Sequence, residues 1–502
     1  MGPPEKRYFR LFSTQQQGDS KQNYLKLFDA IDEQEVYNEA VILEKFADEK
    51  FVKHFSQTKK YLYDNILKAL KLFFADYCIS VKLPDAIKDM RVLLNKGMVK
   101  PALKQYEKIE NVFMVNEQFG ALFDILNFGE QLWRATLNTE QGQKKVREIF
   151  QQKQMCLQYL GNLNEYIFLY NEIKYKYNKI FPARTPEEEE ELKDFLEHPM
   201  LKAGNKTLSV HAEMKYYECL IMIYHGTSDF TKLRATCLEA LKIMDKTEMN
   251  QYFTLDWHTM VYHRLLTAAM FLGDADFEKY KAEFEKYIDT YKFRVNLLDS
   301  INGQLRFHNA ALSINFYRGE WDELFAHINS CSSFLETYWT ILDPAVRADT
   351  ALKLAQAFAV AGKYEAAMYW TEQIALEEKD FPIVSQVSWA RQLRVLLNIN
   401  QGNFTFLESL TRSTYRWLTK HGKAYETERA LLKFANRTAK NEGFELQKHQ
   451  TAFRRQLTKI FPQGKEKRYM IGLNILLWLK GNQNVQVPEN LAKKMEEVLR
   501  AA

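Results

Sequence analysis

The residues of this chain that could do chemistry are ten histidines, five cysteines, several runs of acids and one Gly-Asn-Lys-Thr sequence, and spacing decides what each could do. His258 and His263 are five residues apart, on different faces of a helix, with no glutamate between them to serve a hydrolytic zinc site. His211 and Glu213 face apart for the same reason. Gly204-Asn205-Lys206-Thr207 lacks the spacing that wraps a glycine-rich loop around a phosphate, and no Gly-x-Gly-x-x-Gly is present. No Gly-x-Ser-x-Gly elbow exposes a serine nucleophile. Cys78, Cys156, Cys219, Cys237 and Cys331 are odd in number, and no two form Cys-x-x-Cys, so they read as reduced, buried thiols acting as small hydrophobes. The reading is a non-enzymatic chain with no catalytic residue, no metal site and no cofactor.

Two charged or aromatic runs invite a binding role instead. Glu187 to Glu191 are consecutive glutamates behind Thr185-Pro186, which reads as a capped helix whose acids favour its positive dipole end. Between Tyr166 and Tyr177, aromatics alternate with lysines, a pattern that can stack single-stranded nucleic acid. On a packed helix the same aromatics are wedges, with lysine stems covering them, and that reading is preferred.

The elements that must position these residues follow from composition. Glycine (19) and proline (11) are too scarce in 502 residues to supply the turns of a β-sandwich or barrel. Hydrophobic residues at 46% with charged residues at 26% give enough apolar surface for a core, so the chain reads as all-α. The Met1–Arg10 stretch has no apolar run resembling a signal peptide, and the longest apolar run, Ile475 to Leu479, is far shorter than a membrane span. A soluble, cytoplasmic protein is expected.

Gly362 anchors a repeating hairpin. Asp343 caps and Pro344 opens a helix that runs to Gly362, and a second helix starts at Tyr364. Glycine turns of the same kind recur at Gly97, Gly161, Gly226, Gly273, Gly319 and Gly402, at intervals of 64, 65, 47, 46, 43 and 40 residues. Around Gly362 the residues Leu354, Ala355, Phe358, Tyr364 and Ala367 resemble the tetratricopeptide repeat (TPR) family at its Leu, small, aromatic, Tyr and Ala positions. Thr371 replaces the late aromatic, and the closing proline comes late, as Pro382. The spacing exceeds the ~34 residues of a strict TPR, which predicts longer helices.

This resemblance implies an α-solenoid of TPR-like helical hairpins with an N-terminal helical bundle or cap. The expected layout is a bundle or cap over 1–80, long hairpins over 81–180, a linker with a short acidic helix over 181–205, and the solenoid over 206–502. Stacked hairpins leave their first helices lining a concave groove, so the resemblance implies an interaction scaffold or adaptor for a protein or peptide partner. Transferred from the turn glycines, the family's groove positions are Arg306, Asn309, Ser313, Asp349 and Gln356, with Arg391, Gln392 and Arg394 as candidates in the next hairpin. The lysine–asparagine carboxylate clamp of chaperone-binding TPRs is not reproduced, since its positions hold Leu352 and Gln356, or Gln392 and Leu396. A peptide-sensing regulator, which joins a helical bundle to TPRs, is a further alternative by fold analogy.

Charge adds a rival reading. Thr411 to Arg468 holds 15 Lys/Arg against 5 Asp/Glu, although the whole chain carries only +5. Arg412, Arg416, Lys420 and Lys423 can share one helix face, and Arg429, Lys433, Arg437 and Lys440 another. Such a strip, centred on Arg412, Arg416, Lys420, Lys433 and Arg437, would attract nucleic acid or another polyanion. The mild overall charge disfavours nucleic acid, so an acidic protein surface is the expected counterpart, a second copy's glutamate run among them.

Overall fold

Scarce glycine and proline leave long uninterrupted helices, and the described residues contain 21 α-helices, three short 3-10 turns and no strand. The structure is a computed structural model that describes residues 3–14, 20–34, 37–75, 79–115, 117–134, 139–202, 206–243, 255–291, 297–318, 320–377, 379, 381, 383–441 and 443–460. Cys78, Gly204, Gly319, Pro382, Ile475–Leu479 and the end of the basic segment from 461 lie outside these residues. No helix among them is long and apolar enough to cross a membrane. The chain divides into two compact units, Met1–Lys153 and Gln154–Ala502.

The first unit holds α1 (Pro3–Thr14), α2 (Ser20–Asp32), α3 (Glu39–Lys45), α4 (Phe55–Ala75), α5 (Ile79–Asn95), α6 (Val99–Val115), α7 (Phe119–Arg134) and the start of α8 (Glu140–Ile180). Phe9, Tyr24, Leu27, Phe28, Ile42 and Phe51 close a small aromatic-rich core among the first four helices. Residue 80, the expected end of this bundle, is not a break in packing, because α4 packs on α5, α5 on α6 and α6 on α7.

In the second unit, the rest of α8 leads to α9 (Pro186–Lys193) and then to six helical hairpins. These are α10 (Val210–Thr227) with α11 (Phe230–Lys242), α12 (Leu255–Leu272) with α13 (Phe277–Tyr291), and α14 (Leu297–Arg318) with α15 (Trp321–Tyr338). They continue as α16 (Pro344–Val360) with α17 (Tyr364–Leu376), α18 (Val384–Asn400) with α19 (Phe404–Lys420), and α20 (Glu426–Lys440) with α21 (Leu446–Ile460). From α12 onward, each first helix packs on its own second helix and on the first helix of the next hairpin. The burial pattern follows from that position. Helix α16 is buried around most of its circumference, from Val346 to Ala359, whereas α19 buries only the stripe Leu407, Thr411, Thr414 and Leu418.

The turn chemistry read from the sequence holds at Gly273, Gly362 and Gly402, whose φ angles of +65°, +73° and +71° lie in the left-handed region. After α16, Lys363 N–H donates to the Phe358 carbonyl (2.9 Å) and Gly362 N–H to that of Ala359 (3.2 Å), a Schellman closure. Two expected glycine turns are corrected. Gly161 lies inside α8, where the helix continues through it. Gly226 is helical, and the left-handed residue of that turn is Ser228, with φ +63°. Gly226 answers a different need: a β-carbon there would stand 2.7 Å from Leu192 Cδ1 and 3.2 Å from the Tyr177 ring. A glycine selected for close approach and one selected for a positive φ look alike in sequence.

This distinction predicts opposite signs for one substitution. Gly362→Ala should lower stability by about 1–2 kcal/mol through left-handed strain alone, since nothing lies within 4 Å of the added carbon. Gly161→Ala, also into open space but in mid-helix, should raise it by about 0.5–1 kcal/mol. Urea denaturation of the two variants checks the pair, and a destabilised Gly161→Ala would contradict the continuous α8.

Candidate functional site

The first helices of successive hairpins bring polar side chains to one inner face. There, two adjoining cavities of about 130 and about 160 Å³ share Tyr177, His225, His263, Arg264, Asp349 and Gln386 among their walls. The inner face is covered by the chain itself, through the end of α8 and the residues that follow it. Phe181 stacks on His225 of α10 (centroids 4.9 Å apart) and meets Trp389 of α18 edge-on (6.3 Å). Ala183 N–H donates to the Gly226 carbonyl at 3.0 Å.

This covering segment is locked to a site more than 240 residues away. The Arg184 guanidinium meets the Glu428 carboxylate with both arms, Nη1 to Oε1 and Nη2 to Oε2 (3.0 Å), and both side chains are 1% exposed. Arg184 also lies over the Tyr425 ring at 3.9 Å. The Tyr425 hydroxyl donates to Glu188, whose carboxylate also accepts the backbone N–H of Arg184 (2.8 Å) and of Thr185 (3.3 Å). Lys423 Nζ donates to the Ile180 carbonyl at 3.2 Å and stands 3.6 Å from Glu188. Burial pulls the Lys423 ammonium below its ordinary value, and Glu188 partly offsets this. Two cations and two carboxylates thus neutralise one another, with Arg184, Lys423 and Glu428 buried and Glu188 at the edge. The stretch expected to be a linker carries its predicted helix, with Thr185 and Glu188 forming a capping box, but Pro182, Ala183 and Arg184 are buried.

The sequence-derived candidates separate into three groups. Arg306, Asn309, Ser313, Asp349 and Gln356 all line one or both cavities. Asn309 is 1% exposed; its Nδ2 donates to Asp349 (2.9 Å) and Thr350 (3.1 Å), and its Oδ1 accepts from Lys353. Arg306 Nε donates to Asp256 at 2.8 Å, and Ser313 Oγ to the Asn309 carbonyl at 2.9 Å. Burial opposes the Arg306 charge, and Asp256, with Asp343 and Tyr170, more than compensates. Arg391 and Arg394 stand apart from the cavity walls: Arg391 lies over Trp417 (5.2 Å), and Arg394 pairs with Glu372 (3.0 Å). Gln392 is fully buried, donating to Ser388.

The third group is the basic strip. Arg412, Arg416 and Lys420 on α19 and Arg429, Lys433, Arg437 and Lys440 on α20 are exposed, as predicted for solvated helix faces. Lys423 is a correction: it follows the end of α19 and is buried in the clasp just described. The glutamate run is also less available than its sequence implies. Glu188 is spent in the clasp, Glu189 pairs with Lys193 (2.5 Å), and Glu191 with Lys176 (2.5 Å).

Several wall residues were not singled out from the sequence. Arg264 interrupts the apolar run Val261–Leu266 and Lys353 the run Ala351–Ala355, the same signal that marks Arg306. His263 is buried and held well below its ordinary value by burial, and so is neutral. Nothing local marks Tyr177, Phe181 or Arg184 as a cover for helices far along the chain. The described thiols Cys156, Cys219, Cys237 and Cys331 are buried and unbridged, and burial pushes Cys219 and Cys331 up to about 12. No group of three or more His, Cys, Asp or Glu among the described residues has the geometry to hold a metal ion. No protein-family model, curated protein or solved structure matches this chain.

Removing one partner of a buried pair leaves an uncompensated charge, whereas removing both does not. Glu428→Gln should therefore destabilise the second unit by about 3–5 kcal/mol, and Arg184→Met with Glu428→Met should recover most of the loss. Urea unfolding followed by tryptophan fluorescence measures both. An unaltered midpoint in Glu428→Gln would show that the pair does not hold the segment.

Proposed function

We propose that this chain is a non-enzymatic, TPR-like interaction protein, an α-solenoid over the later hairpins whose concave face holds an extended polypeptide segment. The observation that carries the reading is that part of the chain already packs on these helices: residues 181–184, beyond the end of α8, meet α10 and α18 and are fixed by side-chain and backbone hydrogen bonds. The packing of first helix on first helix, and the Schellman turns at Gly362 and Gly402, support the repeat reading. The resident segment is the chain's own, and a partner's segment of similar chemistry, aromatic-proline followed by arginine, is the ligand class this face suits. Reduced, buried thiols favour a cytoplasmic setting.

A labelled peptide of residues 174–193, added in trans to the full chain, tests this. It should bind an Arg184→Ala variant, whose resident segment is weakened, at least about tenfold more tightly than it binds the native chain. Adding Glu428→Gln should abolish the gain, because the ion pair is worth more than the ~1.4 kcal/mol of a tenfold change. Absence of peptide binding to the Arg184→Ala variant, measured by fluorescence anisotropy, would overturn the reading.

A second reading rests on the strip. Among the described residues no carboxylate pairs with Arg416, Lys420, Lys433 or Arg437, and only Arg412 has one, Glu408 at 2.9 Å. Exposed cations without intramolecular partners suit an acidic surface or another polyanion. We expect oligonucleotide binding seen at 50 mM salt to fall roughly 10³-fold by 200 mM, the behaviour of a sequence-blind phosphate contact. An electrophoretic shift that persists at 200 mM, and is lost in the combined Arg416→Glu, Lys420→Glu, Lys433→Glu and Arg437→Glu variant, would instead make nucleic acid the partner.

A further inference from the structure

Most charged groups around the two cavities have a counter-charge, a backbone donor or open solvent, and Arg264 is the partly buried cation without a counter-charge. Arg306 has Asp256, Lys353 has Asp349, and Glu218 has Lys215 at 2.7 Å. Asp343 caps α16 by accepting the Val346 N–H at 3.1 Å. Lys174 is exposed to solvent, with its ammonium 5.7 Å from the Tyr170 ring. Arg264 is partly buried and walls both cavities, and its one hydrogen bond among the described residues runs from Nη1 to His225 Nε2 at 3.0 Å.

That bond fixes the state of the imidazole. A guanidinium only donates, so His225 Nε2 must accept, and the ring proton sits on Nδ1, donating to the Tyr177 oxygen at 2.7 Å. His225 is therefore neutral and gives Arg264 no counter-charge. Four of the five guanidinium N–H groups of Arg264 have no protein acceptor among the described residues.

A complementary vacancy lies among the residues that line the same two cavities. Gln386 is 3% exposed and faces both cavities; its Nε2 donates to the Ala345 carbonyl at 3.0 Å. That contact sets the amide orientation, since the flipped form would put two oxygens together. Its Oε1 is left buried with no hydrogen-bond partner. The site thus offers a cation lacking an anion and an acceptor lacking a donor. Its two compartments, at about 130 and 160 Å³, are below the roughly 300–1,000 Å³ of pockets for larger ligands.

We propose that these cavities bind a small organic acid, its carboxylate on Arg264 and an adjacent hydroxyl or ammonium donating to Gln386 Oε1: an α-hydroxy or α-amino acid. A lone chloride or sulfate, with no proton to donate, would satisfy Arg264 and leave Gln386 unpaired. A neutral amine or alcohol would do the reverse. This site is independent of the polypeptide reading, because it uses the space between the resident segment and the helices rather than the segment's own position.

Saturation-transfer NMR on the full chain, with lactate, alanine, acetate and ethanolamine as probes, tests the proposal. Lactate or alanine should bind at millimolar concentration or better, acetate about tenfold more weakly, and ethanolamine not at all. Gln386→Leu should erase the preference over acetate while leaving acetate binding intact. Arg264→Met should remove binding of all the acids, with circular dichroism confirming the fold and Arg264→Lys restoring part of the affinity. The proposal is overturned if neither lactate nor alanine binds the native chain, or if acetate binds as well as both. Unchanged binding in a folded Arg264→Met variant would also overturn it. Because the native-chain comparison needs no substitution, misfolding of a variant leaves the test decisive.

Discussion

The second unit depends on one buried ion pair. Arg184 and Glu428 are both withdrawn from water, and the strength of their bidentate contact only roughly offsets the desolvation of two full charges. Such a pair contributes little net stability against an apolar alternative. Its effect is on geometry: any arrangement that separates the two leaves a bare charge inside. Tyr425, Glu188 and Lys423 extend the constraint, because each satisfies a polar group that the same separation would orphan. The segment after α8 is thereby held at one register on the hairpins, and Phe181 is placed against His225 and Trp389.

With that cover in place, the inner face becomes an interior, and polar groups on it must find partners within the protein. Most do so between neighbouring hairpins. Asn309 on α14 reaches Asp349 and Thr350 on α16, Arg306 on α14 reaches Asp256 on α12, and Gln386 on α18 reaches the Ala345 carbonyl of α16. These links add a directional requirement to apolar packing that would otherwise tolerate sliding of one hairpin on the next. Arg347 does the same at the outer edge, donating to the Trp339 carbonyl and to Glu377, both at 2.6 Å. Helix α19, a second helix, buries a single stripe and leaves its cations in water.

What was legible in the sequence was local. Asp343 and Pro344 opening α16, Thr185 and Pro186 opening α9, and the left-handed glycines at 273, 362 and 402 each depend on residues within a turn of one another. Arg306, Asn309 and Asp349 were marked as groove positions by the resemblance, and each is a polar break in a buried helix. Arg264 and Lys353 bear the same mark, and applying it evenly would have found them. Gly161 and Gly226 misled because helix interiors also accept glycine, at a cost of about 1 kcal/mol, where continuity or close packing outweighs it. Lys423 misled because its periodicity continues past the end of its helix. The Arg184–Glu428 contact was not legible at all: nothing near either residue encodes a partner so far along the chain.

The most direct test of this account is hydrogen–deuterium exchange on the native full chain, read at the backbone amides of residues 183–189. Ala183 and Arg184 donate to the Gly226 carbonyl and to Glu188, and both are buried under the clasp. Their amides should exchange as slowly as those of the inner helices, because opening them requires separating Arg184 from Glu428. Exchange at the rate of an exposed loop, with the inner helices still protected, would mean that the segment is not held on the inner face and would contradict the account.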